Sequence, residues 1–135
     1  MDKALNYLAI ARKAGLAELG EEPVGAVTRA GKGYLVAVAS DASDHTWRRA
    51  KSFVAGTEQQ CIRLPYSKDE MGMAVGRSSL AIAAVTDAAL ALALVKSLPD
   101  GDAAAEEALS RRTEKLNQRK KEARAHQRNL RKGKK

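Results

Sequence analysis

Scarcity shapes this chain before any motif does. It has one cysteine, three prolines, two histidines and only 4% aromatic residues among 135. A single thiol, Cys61, excludes an internal disulfide. Its setting QCIRLPY is strand-like and apolar, which reads as a structural thiol in a reducing compartment. The two imidazoles, His45 and His126, lie in different regions, and no cluster has metal-ligand spacing, so neither metal nor cofactor is expected. So few aromatics exclude a reader that stacks bases on an exposed sheet, and Tyr34, Trp47 and Phe53 are expected in the core. Long apolar runs are also missing: SLAIAAVTDAALALALVKSL is interrupted by Thr86 and Asp87, which read as a helix cap. The opening MDKALNYLAIARKAG lacks the apolar centre and small-residue cleavage site of a secretion signal. The expectation is a soluble cytoplasmic protein with no membrane partner.

What the chain does have is positive charge, unevenly placed. Residues 1–102 hold 12 basic and 12 acidic side chains, whereas 103–135 hold 12 basic and 4 acidic, so the tail carries the whole net charge of +8. Blocks of like charge are usually solvated interaction arms. A neutral domain over 1–102 with a basic tail over 103–135 points to a polyanion, with nucleic acid ahead of an acidic membrane surface.

Helical and extended patterns alternate along 1–102. Asp2 caps a first helix with Leu5, Leu8 and Ala9 on one face, and Gly15 ends it. Leu16 to Leu19 is extended, and a second helix runs near Glu21 to Ala30, closed by Gly31. YLVAVAS is apolar throughout, as a strand covered on both faces should be. Ser43 or Asp44 then caps a helix with Trp47, Ala50, Phe53 and Val54 at helical spacing, which Gly56 stops. CIRLPY is a strand, Ser67 with Glu70 forms a capping box, Gly76 ends that short helix, and LAIAAV is the last strand. A helix follows to Pro99. Four such alternations with short connections specify an α/β fold, a three-layer α/β/α sandwich around a small mixed four-stranded sheet.

The tail reads as a basic C-terminal helix, helical or partly disordered: either a half-formed, solvated helix or an arm that becomes helical on a phosphate backbone. Helix formers dominate, acids come early and bases late, the order that the helix dipole favours. Its apolar thread, Leu109, Leu116, Ala123 and Leu130, has one residue per heptad, too thin for a coiled-coil seam. Arg111, Arg112, Lys115, Arg119, Lys120, Lys121, Arg124 and Arg128 are its expected phosphate contacts, each releasing counterions on binding.

No enzyme constellation stands out, and no small-molecule substrate is expected. GAVTRAGKG has glycines, but Gly25 and Gly31 are wrongly spaced for a phosphate loop and Gly33 replaces the required Ser or Thr. The segment also lies at a helix end, where free amides do not point at an anion. Asp41 near His45 sits where a strand turns into a helix, which favours capping over acid–base chemistry.

RKAGLAELGEEPVGAVTRAGKGYLVAVASDAS followed by YSKDEMGMAVGRSSLAIAAVTD resembles the ribosomal L-seven-Ae family of kink-turn RNA binders, in its small bacterial ribosomal-protein-like branch, over roughly Lys3 to Leu98. That resemblance implies a non-enzymatic RNA-binding protein. It would dock its second-helix N-terminus, and the loop before its last strand, onto sheared G·A pairs of a bent RNA. Gly20 matches the glycine at that helix entrance, and Arg77, Ser78 and Ser79 match the loop. Where kink-turn binders carry a small residue, Asn and Glu after the glycine, and a Lys and an Arg along the helix, this chain has Glu21, Glu22, Pro23, Ala26 and Ala30.

Glu21 and Glu22 raise their own question in a basic protein. Acids in a first helical turn are stabilised by about 0.3–1 kcal/mol, and proline there loses no hydrogen bond. A carboxylate such as Glu22 also accepts the imino and amino protons of a guanine edge, with Arg29, Lys32, Arg77 or the tail offsetting nearby phosphate charge. The expected partner is ribosomal or other structured RNA, with the ribosome or translation factors as further partners. The rival reading is an adaptor in ribosome assembly or translation that does not bind RNA through its body.

Overall fold

The computed structural model describes residues 2–132, with side chains through Gln127. Ten elements follow one another: α1 (Lys3–Lys13), β1 (Ala17–Leu19), α2 (Glu21–Arg29), β2 (Leu35–Val38), α3 (Asp44–Val54), β3 (Gln60–Arg63), α4 (Lys68–Ala74), β4 (Ile82–Val85), α5 (Ala88–Lys96) and α6 (Ala103–Lys132). Short polar side chains set most helix starts by accepting a free backbone N–H. Asp2 does so for α1, Ser43 for α3, Ser67 with Glu70 as a reciprocal box for α4, and Asp87 for α5. Asp41 supports α4 instead of pairing with His45: its carboxylate accepts the Lys68 N–H at 2.8 Å.

The sheet order is β1-β4-β2-β3, with β2 and β3 parallel and β4 antiparallel to both of its neighbours. The inner strands β2 and β4 are buried along their whole length, which is why they read as unbroken apolar runs. Helices α2 and α3 pack together on one face, while α1, α5 and the start of α6 cover the other. This is the expected three-layer sandwich with a C-terminal helical tail. Leu8, Leu35, Leu64, Met71, Ile82 and Leu94 fill the interior, each contributing about 1.5–3 kcal/mol by leaving water.

Strands β1, β2 and β3 run in one direction, and each is followed by a helix. The starts of α2, α3 and α4 therefore gather at one end of the sheet, the Gly20 end. The first residue of β4 joins them there, because Ile82 pairs with Val38 and its carbonyl accepts the Gly20 N–H at 3.0 Å. The start of α1 lies at the same end, where the Tyr66 hydroxyl donates to the Asp2 carboxylate at 2.6 Å. The opposite end carries Gly33, Gln59 and Thr86.

Two aspects differ from the sequence pattern. Tyr34, Trp47 and Phe53 are only half-buried, packed against the core rather than within it, and a cation lies over each ring. The tail helix is not simply solvated. Ala105 and Leu109 are buried in the same core as the strands, because α5 and β3 offer the apolar surface that a single partner helix would lack. At a rise of about 1.5 Å per residue, the 30 residues of α6 span roughly 45 Å. It docks by its first turns and then leaves past the Gly33 end.

Candidate nucleic-acid interface

Two backbone segments meet at the Gly20 end. Gly20 has φ 98° and ψ 160°, a region open in practice only to glycine, and no side chain caps α2. The N–H groups of Glu21 and Glu22 therefore face outward without an internal partner, and Pro23 has none to satisfy. Beside them runs the loop before β4. Arg77, Ser78 and Ser79 are exposed, and among the described residues no hydrogen bond engages the Ser78 or Ser79 hydroxyl or amide.

The loop is held by its contact with α4. The Arg77 N–H donates to the Gly72 carbonyl at 2.8 Å and the Leu80 N–H to the Lys68 carbonyl at 3.0 Å. Gly72 is buried directly under the loop, and Gly76 turns the chain with φ 76°. The MGMAVG segment is thus a packing and turning device that presents Ser78 and Ser79.

Carboxylates gather at this end. Glu21, Glu22, Asp44, Asp69 and Glu70 occupy first turns of α2, α3 and α4, where the positive ends of the helix dipoles favour them. Glu21 is also paired with Arg49 of α3 at 3.4 Å, an exposed contact of about 0–1 kcal/mol. Glu22 is exposed, with no ion-pair partner among the described residues. The cations at this end are Arg77 and Lys68, with Lys3 at the start of α1, Arg48 and Arg49 in α3 and Arg63 at the end of β3.

The remaining expected site residues lie elsewhere. Arg29 ends α2 and its guanidinium folds back toward Gly25 and Phe53, while Lys32 lines a groove with Glu18, Gly31, Tyr34 and Thr86 at the opposite end. Arg112 is drawn into the body: its guanidinium lies 4.0 Å from the Tyr34 ring centre, donates to the Gly33 carbonyl at 3.3 Å, and is 3.8 Å from Glu58. Lys115 also reaches Glu58, at 3.5 Å. Arg111, Arg119, Lys120, Lys121 and Arg124 are exposed or line open surface of α6, and the side chain of Arg128 lies outside the described residues.

Sequence reasoning missed Gln59. This buried side chain accepts the Gly33 N–H at 2.9 Å and donates to the Thr28 carbonyl at 3.1 Å, which fixes the turn through Gly31–Gly33. Nothing in a glutamine between α3 and β3 signals that role. Cys61 is half-buried, and burial pushes its thiol up to about 11 against the opposing pull of Lys51. It stays protonated and unreactive at neutral pH. Among the described residues no group of His, Cys, Asp or Glu is arranged to hold a metal, and no helix is long and apolar enough to cross a membrane.

No protein-family model and no curated protein matches the chain by sequence. Among solved structures, it is similar to a protein of unknown function from Bacillus halodurans, with TM-score 0.66 and 25% identity, covering 71% of this chain and 96% of that one. It is also similar to a 15.5kD RNA-binding protein of Giardia lamblia, with TM-score 0.61 and 19% identity, covering 79% of this chain and 87% of that one. The two likenesses fix the fold.

Proposed function

We propose that this protein is a non-enzymatic RNA-binding protein of the ribosomal L-seven-Ae type, and that it reads structured, kinked RNA with its Gly20 end. The observation that supports this reading is that a half-buried Gly20 and the exposed Arg77–Ser79 loop, 57 residues apart at their nearest, come to the same end of the sheet, where the Gly20 N–H donates to the carbonyl of Ile82 just after that loop. The RNA-binding activity of the Giardia lamblia protein, which shares the fold, supports the same reading.

The chemistry at this end suits base edges better than phosphates. The Glu21 and Glu22 amides donate, the Ser78 and Ser79 hydroxyls donate or accept, and the Glu22 carboxylate accepts from a guanine edge. Phosphate charge is then neutralised by Arg77 beside the acidic first turns and, farther away, by α6. The association is with ribosomal or other structured RNA in the cytoplasm.

Binding of the full chain to a kinked RNA with sheared G·A pairs, compared with a plain duplex, tests this. Glu22→Ala should reduce the preference for the kinked RNA by about 1–3 kcal/mol, and Ser78→Ala with Ser79→Ala should reduce it further. An unchanged preference in both variants rejects this end as the reader.

The clustering of carboxylates at the Gly20 end also favours a second reading, an adaptor whose body binds a protein of the assembly or translation machinery. A pull-down with and without ribonuclease separates them, since partners retained after ribonuclease treatment support the adaptor.

A further inference from the structure

We propose that the free edge of β3 and the adjoining side of α6 form a second RNA-binding surface, a track for a phosphodiester backbone from Arg63 past Lys51 and Arg111 to Lys115 and Arg119. The proposal takes RNA as the partner from the reading above and adds a surface at the sheet edge opposite the one that leads into Gly20.

Topology makes the surface separate. β1, which leads into Gly20, and β3 are the opposite edges of the sheet. Three interstrand spacings of about 4.8 Å put roughly 14 Å between them. Side chains alternate along β3, so Arg63 and Cys61 face α3 while Gln60 faces α6. Residues from both helices therefore flank this unpaired strand edge.

On the α3 side the cations are preformed. The Arg63 guanidinium lies 4.9 Å and the Lys51 ammonium 5.4 Å from the Trp47 ring centre. Stacking on an aromatic face restricts such long side chains before a ligand arrives. On the α6 side, Arg111, Lys115 and Arg119 recur four residues apart, one stripe of the helix. Arg112, one position away, is the latch that fixes the stripe beside the strand through Tyr34, Gly33 and Glu58.

Between strand and helix lies a groove of about 330 Å³ lined by Glu58, Gln60, Ala108, Arg111, Arg112 and Lys115. It is open to solvent and roomy enough for a phosphate group. Glu58 is the one carboxylate in the lining. Among the described residues, Lys51, Arg63, Arg111 and Arg119 have no carboxylate within ion-pair distance.

Acids crowd the helix starts at the Gly20 end, and cations without an ion-pair partner among the described residues line the β3 edge and α6, with Arg63 where that edge reaches the Gly20 end. A backbone laid along that edge continues onto the projecting part of α6, where Lys120, Lys121 and Arg124 extend the contact. Non-specific duplex affinity then belongs to the track, and preference for a kink belongs to the Gly20 end.

The test uses the full chain and a plain RNA duplex of about 16 base pairs, the span that duplex-RNA domains cover. The variant Lys51→Ala, Arg63→Ala, Arg111→Ala, Lys115→Ala should bind the duplex about tenfold or more weakly. Its log–log salt slope should be shallower by about 3, since each lost phosphate contact removes about 0.7–0.9. The ratio of kinked to plain binding should hold, whereas Glu22→Ala should change that ratio and leave the slope alone, so failure of either surface is distinguishable. Trp47, the chain's one tryptophan, gives a readout in the unmutated protein, and its emission should change when duplex is added. Wild-type duplex affinity and slope in the variant, or an unresponsive Trp47, overturns the track. An equal Trp47 response to polyglutamate of matched charge also overturns it, by assigning the patch to acidic protein surfaces.

Discussion

Gly72 lies against Ser79 so closely that a Cβ at position 72 would stand 2.8 Å from the Ser79 backbone nitrogen and 2.8 Å from the Arg77 carbonyl oxygen. The obstruction is backbone on both sides, so no side-chain rotation relieves it. The absence of one carbon atom on α4 therefore sets where Ser78 and Ser79 stand relative to Gly20.

Gly72→Ala should displace the loop and destabilise the protein by about 1–3 kcal/mol, the cost of overpacking a close contact. The kinked-RNA preference should fall with it. Gly15→Ala is the control: Gly15 has φ 73° with nothing within 4 Å of a built Cβ, so it should lose about 1–2 kcal/mol through backbone strain and keep its RNA preference. Denaturant midpoints and binding ratios for the two variants check the difference.

The tail helix should behave as two parts. Leu109→Ala should cost about 2–5 kcal/mol, because Leu109 is wholly buried among core residues. Deleting 119–135 should leave the melting temperature nearly unchanged and flatten the salt dependence of RNA binding. Deleting 103–135 should lower the melting temperature as well, by exposing what Ala105 and Leu109 cover. Calorimetry on the three proteins decides; equal melting temperatures for the two truncations would remove any docking role for the start of α6.

Cys61 predicts a pH dependence at the alkaline side. Its thiol is held neutral in the fold, up to about 11 from an ordinary 9.0. The unfolded chain loses that proton first, so stability is fully present below about pH 9 and declines as the pH climbs from 9 toward 11. Tyr66 shifts the same way, through burial and then its hydrogen bond to Asp2, and adds to the decline higher still. Denaturation midpoints of wild type and Cys61→Ala between pH 8 and 11 should converge on the alkaline side, and parallel curves would contradict this. Alkylation of Cys61 near neutral pH should be slow.

The elements were legible because their signals are local. A cap needs only Ser67 and Glu70 three residues apart, and a buried strand announces itself as VAV or IAAV. Gly20 and Arg77–Ser79 were named as candidate contacts only through the resemblance to the L-seven-Ae family. The partners of Gln59 and Arg112 and the Arg63 partner of Trp47 were not legible, because these contacts join residues distant in the chain, 79 positions apart for Arg112 and Gly33. Spacing along a helix cannot reveal such a pair.

By itself, the sequence determined the layers and the charge imbalance between 1–102 and the tail, since both depend on composition and period. Only the tertiary structure decided where that charge goes. Three parallel-running strands deliver their helix starts, and the acids those starts favour, to the Gly20 end. Docking of Leu109 and the Arg112 latch carry the basic helix along β3 and out past the opposite end. The direction of a helix relative to a sheet is fixed by what its apolar residues bury, and that surface exists only once the strands have paired.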